Sequence, residues 1–206
     1  AASFSGTAAV SISIGVSIAT NTITNRVHAY ILNVDSSAGL TATTGDITIT
    51  ATERATVDAL SVAASLSVAV SMVGVALSGA GANATNVIAN DVEAYIQDST
   101  VSTTSGDVNV EAQSSNTVSA IVGAVSAAVS GGLVAVSGSI GVSLGRNLIG
   151  YKDKDGSGLQ NKVLAYIKGS TVTAAGNILV EADVTDRSNL ESFSGSVAIA
   201  VGIGAG

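Results

Sequence analysis

The chain has 206 residues, a formal net charge of −7, 11% charged residues, 23 glycines and no Cys, Pro or Trp. Nucleic acids are bound by clustered Lys and Arg, and only eight such residues are scattered along this chain, so no nucleic-acid partner is expected. The absence of cysteine excludes a disulfide framework, and the length is sufficient to bury a sizeable core.

Four tracts lack a charged residue: 1–25, 59–90, 112–145 and 192–206. In the first tract, large residues such as Phe4, Val10 and Ile12 occupy even positions, while Ser, Thr, Ala or Gly occupies the odd ones. A period of two predicts strands. One straight strand of about 20 residues would be unusually long, so the tracts are expected to bend and wrap around a coil.

Two of these tracts, 59–90 and 112–145, are long enough to resemble membrane-spanning helices by hydropathy. Their Ser or Gly at nearly every second position, together with the lack of flanking Trp or basic anchors, disfavours this interpretation, and no membrane span is predicted. The small-residue face of each tract has two interpretations. It is either a close-packing surface or a face toward water, and close packing is favoured because Ala gains nothing from exposure.

A box with the sequence Ala-Tyr-Ile recurs three times, around Tyr30, Tyr95 and Tyr166. Each box is followed by a Gly-Asp or Gly-Asn pair that predicts a tight turn, with positive φ at Gly and a local side-chain hydrogen bond. Asn residues precede the boxes at matching places, which is expected where equivalent turns stack. They are Asn21 and Asn25, Asn86 and Asn90, and Asn147 and Asn161.

The box tyrosines are 65 and 71 residues apart, and SFSG recurs after 189 residues, which is three units of 63, so the chain contains three repeats of roughly 63 residues. Such a period predicts an all-β solenoid in which each repeat forms about three coils of roughly 20 residues. The chain is interpreted as one repetitive segment, 1–206, that begins and ends inside a repeat. Its units are 1–25 (the end of a preceding unit), 26–90, 91–160 and 161–206. The alternative is a layered β-structure of long alternating strands.

Few residues are candidates for chemistry. Asp153 and Asp155 lie in a loop that resembles the first half of a calcium site, although two lysines interleave them and the downstream bidentate acid is missing. A solvated surface turn is the alternative. His28 is interpreted as an exposed strand residue, because the other repeats have Glu93 and Leu164 at that position. The box tyrosines are expected to pack between coils rather than to stack on sugars.

Residues 165–182 (AYIKGSTVTAAGNILVEA) and their two counterparts resemble the repeats of giant bacterial surface adhesins. The likeness is to leukotoxin-type filamentous adhesins and, more loosely, to filamentous haemagglutinins. The resemblance implies a right-handed parallel β-helix stalk at the bacterial cell surface, exported by an autotransporter or two-partner route. It also implies roles in adhesion, biofilm formation and cell–cell contact, and it carries over no catalytic residues.

We therefore expect a structural repeat segment of a secreted surface adhesin or extracellular fibre, not an enzyme, with no cofactor beyond the calcium considered above. Its expected partners are neighbouring repeats, identical subunits, and glycans or proteins on host or bacterial surfaces. One alternative is a self-polymerising filament subunit, since residues 3–6 (SFSG) recur at 192–195. Others are a glycan- or ice-binding solenoid, whose threonine ladder breaks after one repeat, and a polysaccharide-cleaving β-helix, which is the weakest.

Overall fold

A computed structural model describes residues 1–35, 37–151 and 158–202 of the chain. The regular elements of this part are strands, and it contains no helix of the length and apolar character that crossing a membrane requires. The strands are β1 (Ala2–Phe4), β2 (Ala8–Ile23), β3 (Arg26–Leu32), β4 (Leu40–Ala42), β5 (Ile47–Val70), β6 (Val73–Ile88), β7 (Asp91–Gln97), β8 (Thr100–Thr103), β9 (Val108–Gly132), β10 (Val134–Ile149), β11 (Lys162–Lys168), β12 (Thr171–Thr173), β13 (Ile178–Val184) and β14 (Arg187–Gly202).

The strands form four parallel sheets. Sheet A has the order β1-β5-β9-β13, with β14 also pairing with β9. Sheet B has the order β10-β6-β2, sheet C β11-β7-β3 and sheet D β12-β8-β4. Successive strands of the chain belong to different sheets, and each coil adds one strand to each sheet next to the strand of the previous coil. This arrangement confirms the predicted all-β parallel solenoid.

One turn of the solenoid takes a whole repeat. Ile47 pairs with Val108, 61 residues later, and Val92 pairs with Val163, 71 residues later. The expectation of three coils per repeat is wrong, because the tracts do not wrap around a coil. Strands β5 and β9 run unbroken for 24 and 25 residues, so the predicted short strands after the Gly turns merge with the tracts that follow. The tract 59–90 bends once, at residues 71–72 between β5 and β6.

The corner after each tyrosine box has the same backbone conformation in every coil. Asn33, Asp98 and Gly169 follow the equivalent strands β3, β7 and β11, and their φ angles are 56°, 48° and 61°. Asn, Asp and Gly are the residues that tolerate this left-handed region best. The sequence therefore differs from coil to coil while the turn is preserved.

The Gly-Asx turns differ from their prediction in two respects. Gly45 has a positive φ of 85°, but Gly106 does not, and its Cβ position would instead overlap the carbonyl group of Gly45 in the coil beside it. The side-chain hydrogen bonds also run between coils rather than locally. The Asp107 amide donates to Asp46 Oδ1 at 2.8 Å, and the Asn177 amide donates to Asp107 Oδ1 at 2.6 Å. These turns therefore join successive coils.

The matching asparagines stack as the sequence predicts. Asn21 Nδ2 donates to Asn86 Oδ1, and Asn86 Nδ2 donates to Asn147 Oδ1, each at 2.9 Å. At the next corner the Asn25 amide donates to Asn90 Oδ1 at 3.0 Å. Asn86 and Asn90 are fully buried, so these bonds satisfy polar groups that would otherwise be costly inside the solenoid.

Each coil has two parts that pack differently. We call the first part the base; it comprises residues 20–35, 37–58, 85–119, 146–151 and 158–191. The second part, formed by the two long arms of each coil, is called the blade, and it comprises residues 1–19, 59–84, 120–145 and 192–202. The base encloses branched apolar side chains, of which the fully buried Val92, Ile96 and Val110 are central.

The blade consists of sheets A and B in face-to-face contact through small residues. Its buried clusters are formed by alanines together with the larger Val122. A Cβ atom at Gly15 would lie 2.5 Å from the carbonyl oxygen of Ala64 in the opposite sheet. Ser61 Oγ lies 3.0 Å from Ser17 Oγ across the same interface. The interpretation of the small-residue face as a close-packing surface is therefore correct.

Candidate functional site

The three strands of sheet C present matching side chains on the outer face of the sheet. Strands β3, β7 and β11 direct their apolar residues inward, toward the base core. Their other residues point outward and form rows across the coils. One row is Arg26, Asp91 and Lys162, and another is Tyr30, Tyr95 and Tyr166.

The three box tyrosines form a continuous stack. The ring centroids of Tyr30 and Tyr95 lie 5.2 Å apart with an interplanar angle of 12°, and those of Tyr95 and Tyr166 lie 4.9 Å apart at 2°. Burial raises the pKa of the Tyr166 hydroxyl, with further contributions from Tyr95 and Asp91. The rings cover one another, so this row joins coils, as predicted, but on the outer face of the solenoid.

A charged cluster lies beside the tyrosine stack and has the ligand types of a metal site. Nitrogen or oxygen atoms of His28, Asp91 and Glu93 lie within 4.8 Å of one another. However, the Lys162 ammonium group contacts both carboxylates, at 3.5 Å from Asp91 Oδ1 and closer to Glu93 Oε1. Arg26 also lies 3.5 Å from Asp91. A metal ion would have to displace the lysine, so the cluster is better described as an ion-pair network between coils.

The residues singled out from the sequence lie apart from one another. Asp153 and Asp155 fall outside the described residues, so the calcium hypothesis stays a prediction. His28 lies on an outer strand face, as interpreted, and its Nε2 is 3.3 Å from Asp91 Oδ2.

The threonine ladder breaks at the second coil. The register places Asn109 and Leu179 in line with Thr48. A regular threonine surface for ice or glycans is therefore not continued across the coils.

The most unusual surface of the molecule is the outside of the blade. Along β5, outward positions carry polar residues up to Asp58 and apolar residues from Leu60 onward. The inward positions change from a mixture that includes Ile49, the buried Glu53 and Val57 to Ala and Ser alone. Leu60 and Leu66 are 68% and 53% exposed. The blade is thus inverted relative to an ordinary sandwich, with large apolar side chains outside.

Sheet B repeats this inversion on the opposite side of the blade. Outward residues of β2 are apolar at even positions of residues 10–18, and Thr20 follows. Outward residues of β10 are apolar or Gly at even positions of 134–144, and Arg146 follows. Thr20 and Arg146 lie at the same level, because both pair with Thr85. On the middle strand β6 the polar residues begin one outward position earlier, at Asn83, which pairs with Ile18 and Leu144.

Glycines divide each apolar face into ridges and a notch. On sheet B, Gly79 and Gly81 have no atom near their Cβ positions, and the walls of the groove above Gly79 include Ile14 and Ile140. This groove has a volume of about 310 Å³ and an almost entirely apolar lining. On sheet A, by contrast, the ring of Phe193 covers Gly123. One glycine notch is filled by an aromatic ring of the chain itself, and the other is open.

Sequence reasoning did not identify this surface, although its signal was present. Large residues at every second position of a charge-free tract indicate one continuous apolar face. What the pattern does not state is whether that face lies inside or outside the fold. The small residues opposite to it were the sign that two backbones approach each other closely.

The recurrence of SFSG does not mark equivalent positions. Phe193 pairs with Gly123, whereas Phe4 pairs with Val70, which lies at the level of Val201. The two phenylalanines are therefore eight positions apart along sheet A. The match gives no support to the idea that one end of the chain templates the other.

Comparisons of the chain with known protein families, with curated proteins and with solved structures found no match.

Proposed function

We propose that this chain is a structural segment of a bacterial surface adhesin or extracellular fibre, and that it acts without catalysis. The observation that carries the proposal is the stacking of equivalent residues from coil to coil. Tyr95 lies on Tyr30 and Tyr166, and Asn86 bonds Asn21 and Asn147. A stack of this kind extends the molecule along one axis, as in other repeat proteins.

The resemblance of the boxes and turns to surface adhesin repeats supports the same conclusion. In this proposal the base holds the coils in register, and the exposed apolar blade is the surface that makes contact outside the chain. The proposed location is extracellular, at the bacterial cell surface. Neighbouring repeats and the glycans or proteins of other surfaces are the proposed partners.

Antibody labelling of intact source cells tests this proposal. Antibodies raised against the chain should label unpermeabilised cells, and external protease should remove the label. Deletion of the segment from the parent gene should reduce attachment of the cells to surfaces. Labelling only after permeabilisation would contradict the proposal, as would unchanged attachment after deletion.

A filament subunit is the alternative to a segment of one long chain. In the described part of the chain, sheets B, C and D end on β2, β3 and β4 on one side and on β10, β11 and β12 on the other. These outer strands can pair with further strands, whether those belong to neighbouring repeats of the same chain or to another copy. Cryo-electron microscopy of the parent material separates the candidates, because a subunit would show chain breaks at regular intervals along the fibre.

A further inference from the structure

The apolar surface of the blade covers both of its faces and its tip. Ile14 on sheet B is 77% exposed, and Leu60 on sheet A is 68% exposed. At the tip, Phe4 and Met72 are 72% and 52% exposed. Soluble proteins seldom leave contiguous apolar patches of more than a few hundred Å² in water, and larger patches mark interaction sites. The blade therefore needs an occupant that contacts two opposite faces and an end together.

The length of the apolar region fits the hydrocarbon core of a bilayer. Outward residues are apolar over 60–70 on β5 and apolar or Gly over 134–144 on β10. At about 3.3 Å per residue these stretches are roughly 33 Å long. The hydrocarbon core of a bilayer is about 30 Å thick. Polar side chains enter this length at its boundary with the base, where Glu191 on β14 lies level with Leu60 and Asn83 on β6 lies level with Ile18.

A second copy of the chain covers this surface poorly. Each face is three strands wide. A copy stacked on one face would leave the other face and the tip in water. Hydrocarbon covers all three at once.

The groove on sheet B is centred on Gly79, with Leu77 and Gly138 beside it. The register places Ile14 and Ile140 on either side of Gly79. The floor at Gly79 is open backbone, since no atom lies within 4 Å of its Cβ position. A linear acyl chain would fill this groove in the way that the Phe193 ring fills the notch above Gly123 on the other face.

Most polar groups inside the blade are paired. The parallel ladders of β5 with β9 and of β2 with β6 pair the backbone groups of these strands. The Ser65 and Ser78 hydroxyls pair across the interface at 2.6 Å, whereas the hydroxyls of Ser11 and Ser130 are buried without a partner. Hydrocarbon tolerates only backbone that is paired within the protein, so insertion requires that further strands pair with the outermost described strands.

We infer that the blade inserts into the hydrocarbon of a lipid bilayer, with an acyl chain lying in the groove over Gly79. The inference departs from the sequence-based expectation of no membrane span. It also rests on the proposed function, since it names what the surface segment attaches to.

Single cysteines provide position-specific probes, because the chain has none of its own. Ile14→Cys and Leu66→Cys place an environment-sensitive fluorophore on the two blade faces, and Thr50→Cys places it on the outer face of the base. With phosphatidylcholine vesicles, the probes at 14 and 66 should shift to shorter wavelength. They should also be quenched by nitroxide groups on the acyl chains. The probe at 50 should show neither effect.

Charge substitutions give a second readout without a label. Ile14→Lys and Leu66→Lys should each lower flotation with phosphatidylcholine vesicles by roughly 30-fold or more, because a lysine facing lipid on a strand is strongly unfavourable. Both positions face outward, so circular dichroism should show the fold retained. Thr50→Lys, on the same strand as Leu66 but in the base, is the matched control and should float as the unsubstituted chain does.

Two outcomes would overturn the inference: probes at 14 and 66 that stay unquenched in the presence of vesicles, or lysine variants that float as well as the parent chain. Disulfide formation between two Ile14→Cys copies without lipid quenching would identify the blade as a protein interface instead. Failure of the proposed function is detected separately, because cell-surface labelling does not depend on vesicle binding. Surface labelling with no lipid quenching would overturn the lipid inference alone.

Discussion

The base and the blade share the strands β5 and β9, but the base buries large residues in its interior and the blade buries small ones. In the first half of β5 the interior receives Ile49 and Val57 while threonines face water. In the second half the interior receives Ala63 and Ser67 while Leu60 faces water. A single strand of 24 residues therefore changes its inward face from large to small residues without a break.

The difference follows from the space between the sheets. In the base, four sheets surround an interior that branched side chains fill, and burial of these side chains supplies the stabilisation. In the blade, two sheets approach so closely that only Gly, Ala and Ser fit in most positions. Hydrogen-bonded ladders and close backbone contact hold the blade together, and its apolar side chains are left for another partner.

The same substitution in the two regions tests this comparison most strongly. Ile96→Ala empties a fully buried position of the base and should lower the free energy of unfolding by about 3 kcal/mol. Ile14→Ala, on the outside of the blade, should change it by no more than about 0.5 kcal/mol. Chemical denaturation followed by circular dichroism measures both. Equal losses would mean that the blade face is buried in solution.

Two glycines of the blade distinguish its inside from its outside. Gly15→Val places a branched side chain against the Ala64 carbonyl oxygen and should destabilise the fold by about 2 kcal/mol. Gly81→Val points outward into open space, where nothing lies within 4 Å, and serves as the matched control. Its unfolding midpoint should stay the same or rise. An unchanged midpoint for Gly15→Val would show that the sheets lie further apart than the contacts indicate.

The tyrosine stack tests the joining of coils in the base. Tyr95→Leu removes two ring contacts and should cost about 2 kcal/mol, whereas Tyr30→Leu removes one and should cost about half as much. Unfolding midpoints of the two variants provide the measurement. Identical losses would indicate that burial of each ring, rather than stacking between coils, is what stabilises the row.

The smallest expected effect concerns pH. Burial raises the pKa of Tyr166 above 10.0, with help from Tyr95 and Asp91. The folded state then holds this proton more tightly than the unfolded chain does. The contribution of Tyr166 to the free energy of unfolding is therefore fully present below pH 10.0 and is lost as the pH rises above that value. Tyr166→Phe should reduce the fall measured by denaturation at alkaline pH. An unchanged alkaline slope in this variant would assign the effect to other groups.

Much of the fold could be predicted from local patterns. The period of two identified strands, and the recurrence of the tyrosine boxes and paired asparagines identified coils that stack in register. The prediction of three coils in each repeat was wrong, because hydrophobic alternation does not indicate where a strand ends. The pairing of Ile47 with Val108 and the reversal at residues 71–72 show that one repeat is a single turn.

The sequence by itself determined that the chain alternates between two faces, repeats three times and concentrates its charges away from the tracts, because these properties depend on spacing alone. Only the tertiary structure decided which face is outside. Alternation defines two sides of a strand but not the distance to the next sheet, and that distance selects small residues for the interior. Where the sheets of the blade come within backbone contact, Ile14 and Leu66 are left on the surface.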